Sequence, residues 1–379
     1  MKKTIGIYIH IPFCNKKCAY CDFYSECGAN DDDKKAYADA LKKHISEYKN
    51  MLGSYEIDTV YFGGGTPSCM PKGCISSIVE HIRKCANVSK NAEITTELNP
   101  ESTEASLLSE LKSCGVNRLS IGVQSADDSE LSMLGRLHSF EMAQNAVNLA
   151  KKYGFSNISL DMMYGLPSQT IDGALDSLDK IIALSPSHIS AYALKLEQGT
   201  KMYSLLPTLP DDDAVADMYL AIVDKLEKFG YKQYEISNFA RDGMHSRHNS
   251  RYWDLSEYLG IGAGAHSFVG ERRFANISDY KRYTLALSAG GEVIEENEEQ
   301  TSIEDRFGEH IMLALRTSEG IDEDKLYRIF HRDFVGAEKT LKKYADLGYA
   351  KYGAGKFSLT PKGFFISNTI INDVISNMC

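Results

Sequence analysis

CNKKCAYC, residues 14–21, is the stretch of this chain that indicates most about its fold. Three thiolates at this spacing can bind three irons of a cubic iron–sulfur cluster. The fourth iron then has no protein ligand and can bind an exchangeable group. Two alternatives are a zinc site, in which Cys27 would supply the fourth ligand, and simple reduced thiols. Zinc ligands usually come as two separated pairs, so the triplet favours the cluster.

Composition and charge narrow the class of protein. The 379 residues carry a net charge of −10, and 43% of them are hydrophobic, which is typical of a soluble protein. The acidic excess disfavours general binding to nucleic acid phosphates, and no apolar run approaches the ~20 residues of a membrane span. Nine cysteines, an odd number spaced unevenly, fit a reducing compartment better than a disulfide framework. The sequence therefore predicts a cytoplasmic protein.

The N-terminal segment MKKTIGIYIHIPFC has two lysines before an apolar stretch, as a signal peptide does. However, its residues alternate like those of a β-strand, it lacks a small-residue cleavage site, and it runs directly into the cysteines. We therefore expect the first strand of the fold here rather than an export signal.

Strand-like and helix-like segments alternate through residues 1–230. The predicted strands are Ile5–Ile11, Thr59–Phe62, Glu93–Leu98, Leu119–Val123, Ile158–Met162 and Ile189–Leu194. The predicted helices are Lys34–Leu52, Cys74–Cys85, Glu104–Cys114, Glu141–Tyr153, Asp172–Leu184 and Asp211–Phe229. This alternation predicts an α/β fold with a parallel sheet and outer helices, either open and doubly wound or part of a barrel. Polar and glycine-rich segments follow successive strands, which favours a partial (β/α)6 TIM-like barrel with a binding rim.

The pattern changes twice after the barrel segment. Residues 231–299 are rich in glycine, histidine and aromatic side chains, so we expect a linking region close to the site, with the acidic run Glu295–Glu299 as a solvated linker. In residues 300–379 the predicted elements are helices Ile303–Leu315, Glu323–Phe330 and Ala337–Leu347 and a hairpin of Ala350–Tyr352 and Phe357–Leu359. This order predicts an α+β winged-helix-like module. Its mixed charge favours packing or substrate covering over DNA binding.

Candidate ligand-binding residues follow the predicted strands at one rim. The glycines of Gly63–Pro67 let a ligand approach the backbone closely. Glu97, Gln124 and Asp161 lie at the ends of the next three strands, and Arg136 follows as a group that can pair with a carboxylate through two hydrogen bonds. Each residue alone is compatible with a solvated strand end or a surface helix. Packing does not explain why all of them fall on the same rim.

The cysteine triplet, with an aromatic residue before its third member, resembles that of the radical S-adenosylmethionine (SAM) superfamily. The resemblance implies a 4Fe–4S cluster on Cys14, Cys18 and Cys21, with SAM on the fourth iron. Reduction of the cluster would then cleave SAM to a deoxyadenosyl radical. By motif matching, the SAM-binding residues would be Tyr8, Tyr20, Gly64, Gly65, Thr66, Glu97, Gln124, Arg136 and Asp161, with Tyr20 near the adenine.

Further motifs, spread over nearly the whole chain, narrow the resemblance to the oxygen-independent coproporphyrinogen III oxidase group. They are Tyr8–Phe13, Gly63–Pro67, Glu97–Pro100, Ser120–Ser125, Gly135–His138 and Asp161–Pro167. Some members of that group carry a second SAM, which Tyr8 and Asp161 would line. Two departures count against the oxidase reaction. Phe23 stands where the oxidases have another cysteine, and only 13 residues precede Cys14.

The segment HNSRYW, residues 248–253, holds the only tryptophan of the chain. It resembles the HNxxYW signature of the HemW haem chaperone branch of this group. A histidine nitrogen or a tyrosine oxygen can ligate haem iron, and an indole ring offers a flat apolar face. The resemblance therefore makes His248, Tyr252 and Trp253 the candidate haem-binding residues. The alternative is that His248 caps a turn and Trp253 fills core.

The favoured interpretation is a haem chaperone that binds haem and transfers it to an acceptor haemoprotein, which the family resemblance implies is a respiratory one. The alternatives are an oxygen-independent coproporphyrinogen III oxidase, which decarboxylates its substrate by radical chemistry, and a DNA-binding regulator. Whether the chain is also an enzyme stays open. His266, in the Gly260–Ser267 loop, can face the SAM site rather than a bound haem. His245 has no assigned role. The sequence predicts no nucleic acid partner and is compatible with a homodimer.

Overall fold

The N-terminal apolar segment forms the first strand of a large sheet in a computed structural model of the chain, which describes residues 2–293, 295–332 and 334–377. The early strands, in chain order, are β1 (Lys3–Ile11), β2 (Phe13–Cys14), β3 (Glu26–Cys27), β4 (Tyr55–Gly64), β5 (Asn87–Leu98), β6 (Arg118–Gln124), β7 (Asn157–Tyr164) and β8 (His188–Ala193). The later strands are β9 (Lys232–Gln233), β10 (Asn238–Ala240), β11 (Tyr258–Ile261), β12 (His266–Val269), β13 (Arg272–Asn276), β14 (Glu295–Gln300), β15 (Ile321–Asp322), β16 (Ala350–Gly353) and β17 (Lys356–Leu359).

Helices fill most of the connections between these strands. The helices of the first 230 residues are α1 (Asp31–Glu47), α2 (Lys49–Leu52), α3 (Cys74–Cys85), α4 (Ala105–Cys114), α5 (Asp128–Met133), α6 (Phe140–Lys152), α7 (Ile171–Ala183), α8 (Lys201–Leu205) and α9 (Asp212–Lys228). The remaining helices are α10 (Arg247–Trp253), α11 (Tyr280–Ser288), α12 (Ile303–Ala314), α13 (Glu323–Phe330), α14 (Val335–Asp346), α15 (Pro361–Phe365) and α16 (Ser367–Ser376). In the described ranges, no helix has both the length and the apolar composition to cross a bilayer.

Twelve strands form one sheet in the order β14-β13-β12-β11-β1-β4-β5-β6-β7-β8-β10-β9. Its central strands β1, β4, β5, β6, β7 and β8 are all parallel. They correspond to the six predicted strands, which confirms the partial (β/α)6 barrel. Because the carboxyl ends of parallel strands meet at one edge, the predicted rim is a real edge of the sheet.

The central strands divide their side chains between two faces. On β6, Leu119, Ile121 and Val123 are completely buried in the apolar core, which extends to the outer helices. The intervening Ser120 pairs in register with Glu97 of β5 and with Ser159 of β7, so a polar row runs across the inner face. Burying an aliphatic side chain stabilises the fold by about 1.5–3 kcal/mol, and the outer face therefore holds the barrel together while the inner face stays polar.

The acidic run Glu295–Glu299 is not the solvated linker that we expected. It lies in β14, which pairs antiparallel with β13 at the edge of the large sheet. An ion pair between Arg272 on β13 and Glu295, at 3.5 Å, offsets part of the like-charge repulsion along the strand. Charged side chains are common on edge strands because they discourage further pairing. The prediction was wrong because it used only the acidic composition of the segment and not its strand pairing.

The C-terminal part contains the winged-helix-like arrangement that the sequence predicts. β16 and β17 form the predicted hairpin, and β15 pairs with β17 to complete a three-stranded antiparallel sheet beside α12–α16. The proposed division at residues 230 and 299 stays a prediction, since β11–β14 continue the sheet of the barrel.

Candidate functional site

The cysteine triplet lies in the loop that follows β1 and β2. Cys14 Sγ lies 3.3 Å from Thr66 Oγ1, and Cys18 Sγ accepts a hydrogen bond from Arg136 Nη1 at 3.4 Å. The eight cysteines in the described part of the chain are free thiols. Together with Cys21, these two thiols line a cavity of about 140 Å³ at the rim, which we call the cysteine cavity.

Glycine at position 65 allows the end of β4 to approach the cysteine loop. Its N–H donates to Ile11 O at 2.8 Å, and the Thr66 N–H donates to Phe13 O at 2.7 Å. A Cβ at Gly65 would lie 2.7 Å from Phe13 O, which is closer than real side chains come to a backbone oxygen. The glycine-rich loop therefore fixes the position of the residues that precede Cys14, as well as lining the cavity.

Two carboxylates at the strand ends face the cysteine cavity. Glu97 accepts hydrogen bonds from the Tyr61 hydroxyl at 2.7 Å and from the Gly64 N–H at 3.2 Å, and burial raises its pKa to about 7. Asp161 accepts one from the Ser120 hydroxyl at 3.3 Å, and burial raises its pKa to about 6. A ligand with ammonium or hydroxyl donors would stabilise the ionised form of both groups.

Arg136 joins the cysteine loop to the ends of β5 and β6. Its Nη2 donates to Asn99 Oδ1 and to Gly122 O, both at 2.8 Å, in addition to the Nη1 contact with Cys18. Gly135 has a φ of +77°, and a Cβ there would lie 3.2 Å from Ala19 N. The guanidinium is thus held next to the thiols, with a fixed cation available for a ligand carboxylate.

Eight of the nine predicted SAM-binding residues line the cysteine cavity together. They are Tyr20, Gly64, Gly65, Thr66, Glu97, Gln124, Arg136 and Asp161. Asn99, Ser120 and Tyr192 also line it; the first two fall within quoted motifs but were given no role, and Tyr192 falls in none of them. Tyr192 donates to Gln124 Oε1 at 2.8 Å; its place at the end of β8, two residues beyond Ser190 on the same face, is the pattern that could have revealed it.

Tyr8, the ninth residue, lines a second cavity of about 440 Å³, which shares Gly64 and Glu97 with the first. We call it the tyrosine cavity. Its wall is formed by Tyr8, His10, Asp22, Phe23, Tyr24, Gly64, Glu97, Tyr252, Tyr258, Gly264 and His266. His10 donates from Nε2 to Tyr24 O at 3.1 Å, which leaves Nδ1 to accept from the Tyr8 hydroxyl at 3.1 Å. Both ring nitrogens of His10 are therefore occupied.

The predicted haem-binding residues lie on α10 but do not share a surface. His248 is completely buried, with Nδ1 2.9 Å from Thr59 Oγ1 and Nε2 3.0 Å from the Tyr252 hydroxyl. Burial lowers its pKa to about 3, so the ring is neutral. Tyr252 lines the tyrosine cavity, whereas Trp253 lines a separate crevice of about 360 Å³ beside the C-terminal module.

We call the space beside Trp253 the tryptophan crevice; its wall includes Tyr234, Glu235, His245, His310 and Lys325. The rings of Tyr234 and His245 stack there, with centroids 4.1 Å apart. His245, to which the sequence assigns no role, therefore lies near Trp253 and away from the cysteines. His266 is exposed and borders the tyrosine cavity, which is also lined by Tyr8, Gly64 and Glu97 of the predicted SAM-binding residues.

Sequence reasoning also missed Arg118, a completely buried cation in the barrel. Only 1% of it is exposed, and neither Nε nor Nη1 has a hydrogen-bond partner among the residues that the structure describes. Its charge lies close enough to Glu97 and Asp161 to oppose the rise in their pKa values. Arg118 begins β6, where an isolated arginine gives no signal in the sequence that distinguishes it from a solvated strand end.

The barrel, the free thiols at its rim and the strand-end polar residues define a radical SAM protein. The family model of the Radical SAM superfamily matches residues 8–181. A solved structure described as coproporphyrinogen III oxidase (HemN) from Escherichia coli, a radical SAM enzyme, superposes with a TM-score of 0.86. It covers 99% of this chain and 91% of its own at 22% identity, so it shows the fold.

Curated relatives narrow the family further. A protein of Bacillus subtilis named "Heme chaperone HemW" is 33% identical over 98% of this chain and 99% of its own length. Another of that name from Haemophilus influenzae is 35% identical over 97% of each chain. This chain belongs to the HemW haem chaperone family within the radical SAM superfamily.

Proposed function

We propose that this protein is a cytoplasmic haem chaperone, which binds haem and transfers it to an acceptor haemoprotein, while carrying a 4Fe–4S cluster and SAM. The observation that carries the proposal is the full-length similarity to curated haem chaperones. A respiratory haemoprotein as the acceptor remains part of the proposal.

The residues of the cysteine cavity fit the two cofactors. Cys14, Cys18 and Cys21 are free thiols in one wall and would bind three irons of the cluster. Burial raises the pKa of Cys14 and of Cys21, and iron would displace the thiol protons. When bound and reduced, the cluster would supply an electron to SAM.

The other residues of the cavity would hold SAM against the cluster. Arg136 would pair with the SAM carboxylate, since its guanidinium is fixed 3.4 Å from Cys18 Sγ. Glu97 has oxygens that can accept from the ammonium or ribose hydroxyls, and Tyr20 would lie near the adenine. In this proposal the cofactors serve the loading or release of haem, rather than turnover of a porphyrinogen.

His248, Tyr252 and Trp253 are the haem-binding residues that the resemblance to the HNxxYW signature implies. Their separation supports different roles for them, because direct ligation by His248 would require its ring to leave Thr59 or Tyr252. Tyr252 and Trp253, by contrast, each border an open cavity.

The alternative function, an oxygen-independent coproporphyrinogen III oxidase, is favoured by the similarity of the fold to HemN. An anaerobic assay of the reconstituted protein with SAM, a reductant and coproporphyrinogen III separates the two functions. We expect no protoporphyrinogen above a Cys18→Ala control, together with transfer of bound haemin to an apo-haemoprotein. Multiple turnovers to protoporphyrinogen without haemin binding would overturn the chaperone proposal.

A further inference from the structure

Within the tyrosine cavity, one imidazole is free to bind a metal. His266 is exposed, and no hydrogen bond or ion pair of its side chain occurs within the described residues. The other histidine of the cavity, His10, has both ring nitrogens occupied, and so does the buried His248 behind Tyr252. His266 is therefore the imidazole of this cavity that can coordinate iron without breaking an existing contact.

A rigid turn presents His266 to the cavity. Asn276 Nδ2 donates to Gly260 O at 3.0 Å and to Gly262 O at 2.8 Å, and the Gly264 N–H donates to Ile277 O at 3.0 Å. A Cβ at Gly264 would lie 3.0 Å from Tyr24 Cδ1, so the turn packs against the cavity wall. The hydrogen bonds of the turn fix the backbone that carries His266 beside the cavity, and a supported backbone position favours metal ligation.

The walls of the tyrosine cavity suit a flat apolar ligand. Five of its residues are aromatic, namely Tyr8, Phe23, Tyr24, Tyr252 and Tyr258. Phe23, whose side chain is 71% exposed, lies at the mouth, so the charged edge of a macrocycle can remain in water. The tryptophan crevice is a poorer fit because, of its lining residues, two are tyrosine or tryptophan (Tyr234 and Trp253), while the others include four acidic side chains and two lysines.

We propose that haem lies in the tyrosine cavity with His266 as an iron ligand, while His248 acts as a positioning residue that holds the Tyr252 ring in the wall. This inference rests on the proposed function, since it locates the haem that the function requires. The bond is a coordination bond from the lone pair of a neutral imidazole, which replaces a solvent ligand on ferric iron. It transfers no electron and no proton. The cavity shares Gly64 and Glu97 with the cysteine cavity, so the haem would lie beside the proposed SAM site.

Haemin titration of the cluster-loaded protein tests the inference, with the Soret difference spectrum and the electron paramagnetic resonance of ferric haem as readouts. His266→Gly should change both spectra and weaken haemin binding on the order of tenfold or more, and added imidazole should restore the wild-type spectra. His331→Asn, an exposed histidine of the C-terminal module, is the matched control and should behave as the wild type. His248→Ala should leave the ligand signature unchanged.

The outcomes distinguish a failure of the proposed function from a failure of this inference. If the wild type binds no haemin, the proposed function fails. If the wild type binds haemin and His266→Gly keeps its spectra and affinity, only the location and ligand fail. A changed ligand signature in His245→Ala, with His266→Gly unchanged, would place haem in the tryptophan crevice and overturn the inference.

Discussion

Arg136 and Cys18 are in direct contact: the guanidinium Nη1 donates a hydrogen bond to the thiol Sγ at 3.4 Å. The same guanidinium is held by Asn99 and by the Gly122 carbonyl. A cation for the ligand and a thiol for the cluster are thus parts of one hydrogen-bonded unit. The geometry of this unit should determine how tightly SAM binds at the cluster.

Arg136→Lys should weaken SAM binding, because lysine cannot make the paired hydrogen bonds of a guanidinium. Loss of a hydrogen bond to a charged group costs about 1.5–3 kcal/mol, or roughly 10- to 100-fold in affinity. Anaerobic calorimetric titration of the cluster-loaded protein with SAM measures this affinity. Arg328→Lys, at an exposed position of α13, is the control. Equal SAM affinities for the two variants would contradict the role of Arg136.

Gly65→Ala should impair assembly of the cluster, because its methyl would overlap Phe13 O in the strand that leads to Cys14. We expect lower iron content per chain and a loss of stability of about 1–3 kcal/mol. Gly308→Ala is the matched control, since a Cβ there meets no atom of the described residues within 4 Å. Iron analysis and thermal melting compare the two variants with the wild type. Normal iron content in Gly65→Ala would contradict the close-approach argument.

SAM affinity should depend on pH through Glu97. Burial raises the pKa of this carboxyl to about 7, and only the ionised form attracts the ammonium of SAM. The affinity for SAM should therefore increase as the pH rises through 7 and decrease as the pH falls below 7. Glu97→Gln should bind SAM more weakly at high pH and lose much of this dependence, the remainder coming from Asp161, whose pKa of about 6 lies lower. An identical pH profile in wild type and Glu97→Gln would exclude Glu97 as the cause.

Glu235 should make the protein less stable as the pH rises. Its side chain is 1% exposed, Oε1 has no hydrogen-bond partner within the described part of the chain, and burial raises its pKa from 4.5 to about 7. Between these values the folded state keeps a proton that the unfolded state has released, so the free energy of unfolding decreases from pH 4.5 to pH 7. The decrease is on the order of 3 kcal/mol at most.

Denaturant unfolding at several pH values tests this effect. Glu235→Gln cannot ionise and should show a flatter pH dependence than the wild type. Glu227→Gln, at an exposed carboxylate of α9, should retain the wild-type slope. Parallel slopes for all three proteins would assign the pH dependence to other groups.

The sequence predicted the barrel well because each central strand carries its own apolar pattern and ends in polar or glycine residues. Helix ends were close too: the predicted helix Lys34–Leu52 begins earlier, at Asp31, because Asn30 caps it, and it is interrupted at Tyr48. The edge strand β14 was missed because its pairing with β13 overrides its acidic composition.

The site was predictable where residues cluster in local motifs. The cysteines and Gly64–Thr66 fall in such motifs, and the structure brings them to one cavity. Arg118 and Tyr192 were missed, since their importance arises only when parallel strands bring distant residues together. The HNxxYW motif was treated as one surface, but helical geometry turns Tyr252 and Trp253 toward different cavities.

The most direct test of the account is Mössbauer spectroscopy of the anaerobically reconstituted, iron-57-labelled protein with and without SAM. Three cysteine ligands leave one iron open, so SAM should shift the signal of one iron site and leave the other three unchanged. Cys27→Ala should give the same result, and Cys18→Ala should lose the cluster. A spectrum in which SAM perturbs no iron, or a fully competent protein that holds no iron, would contradict the account.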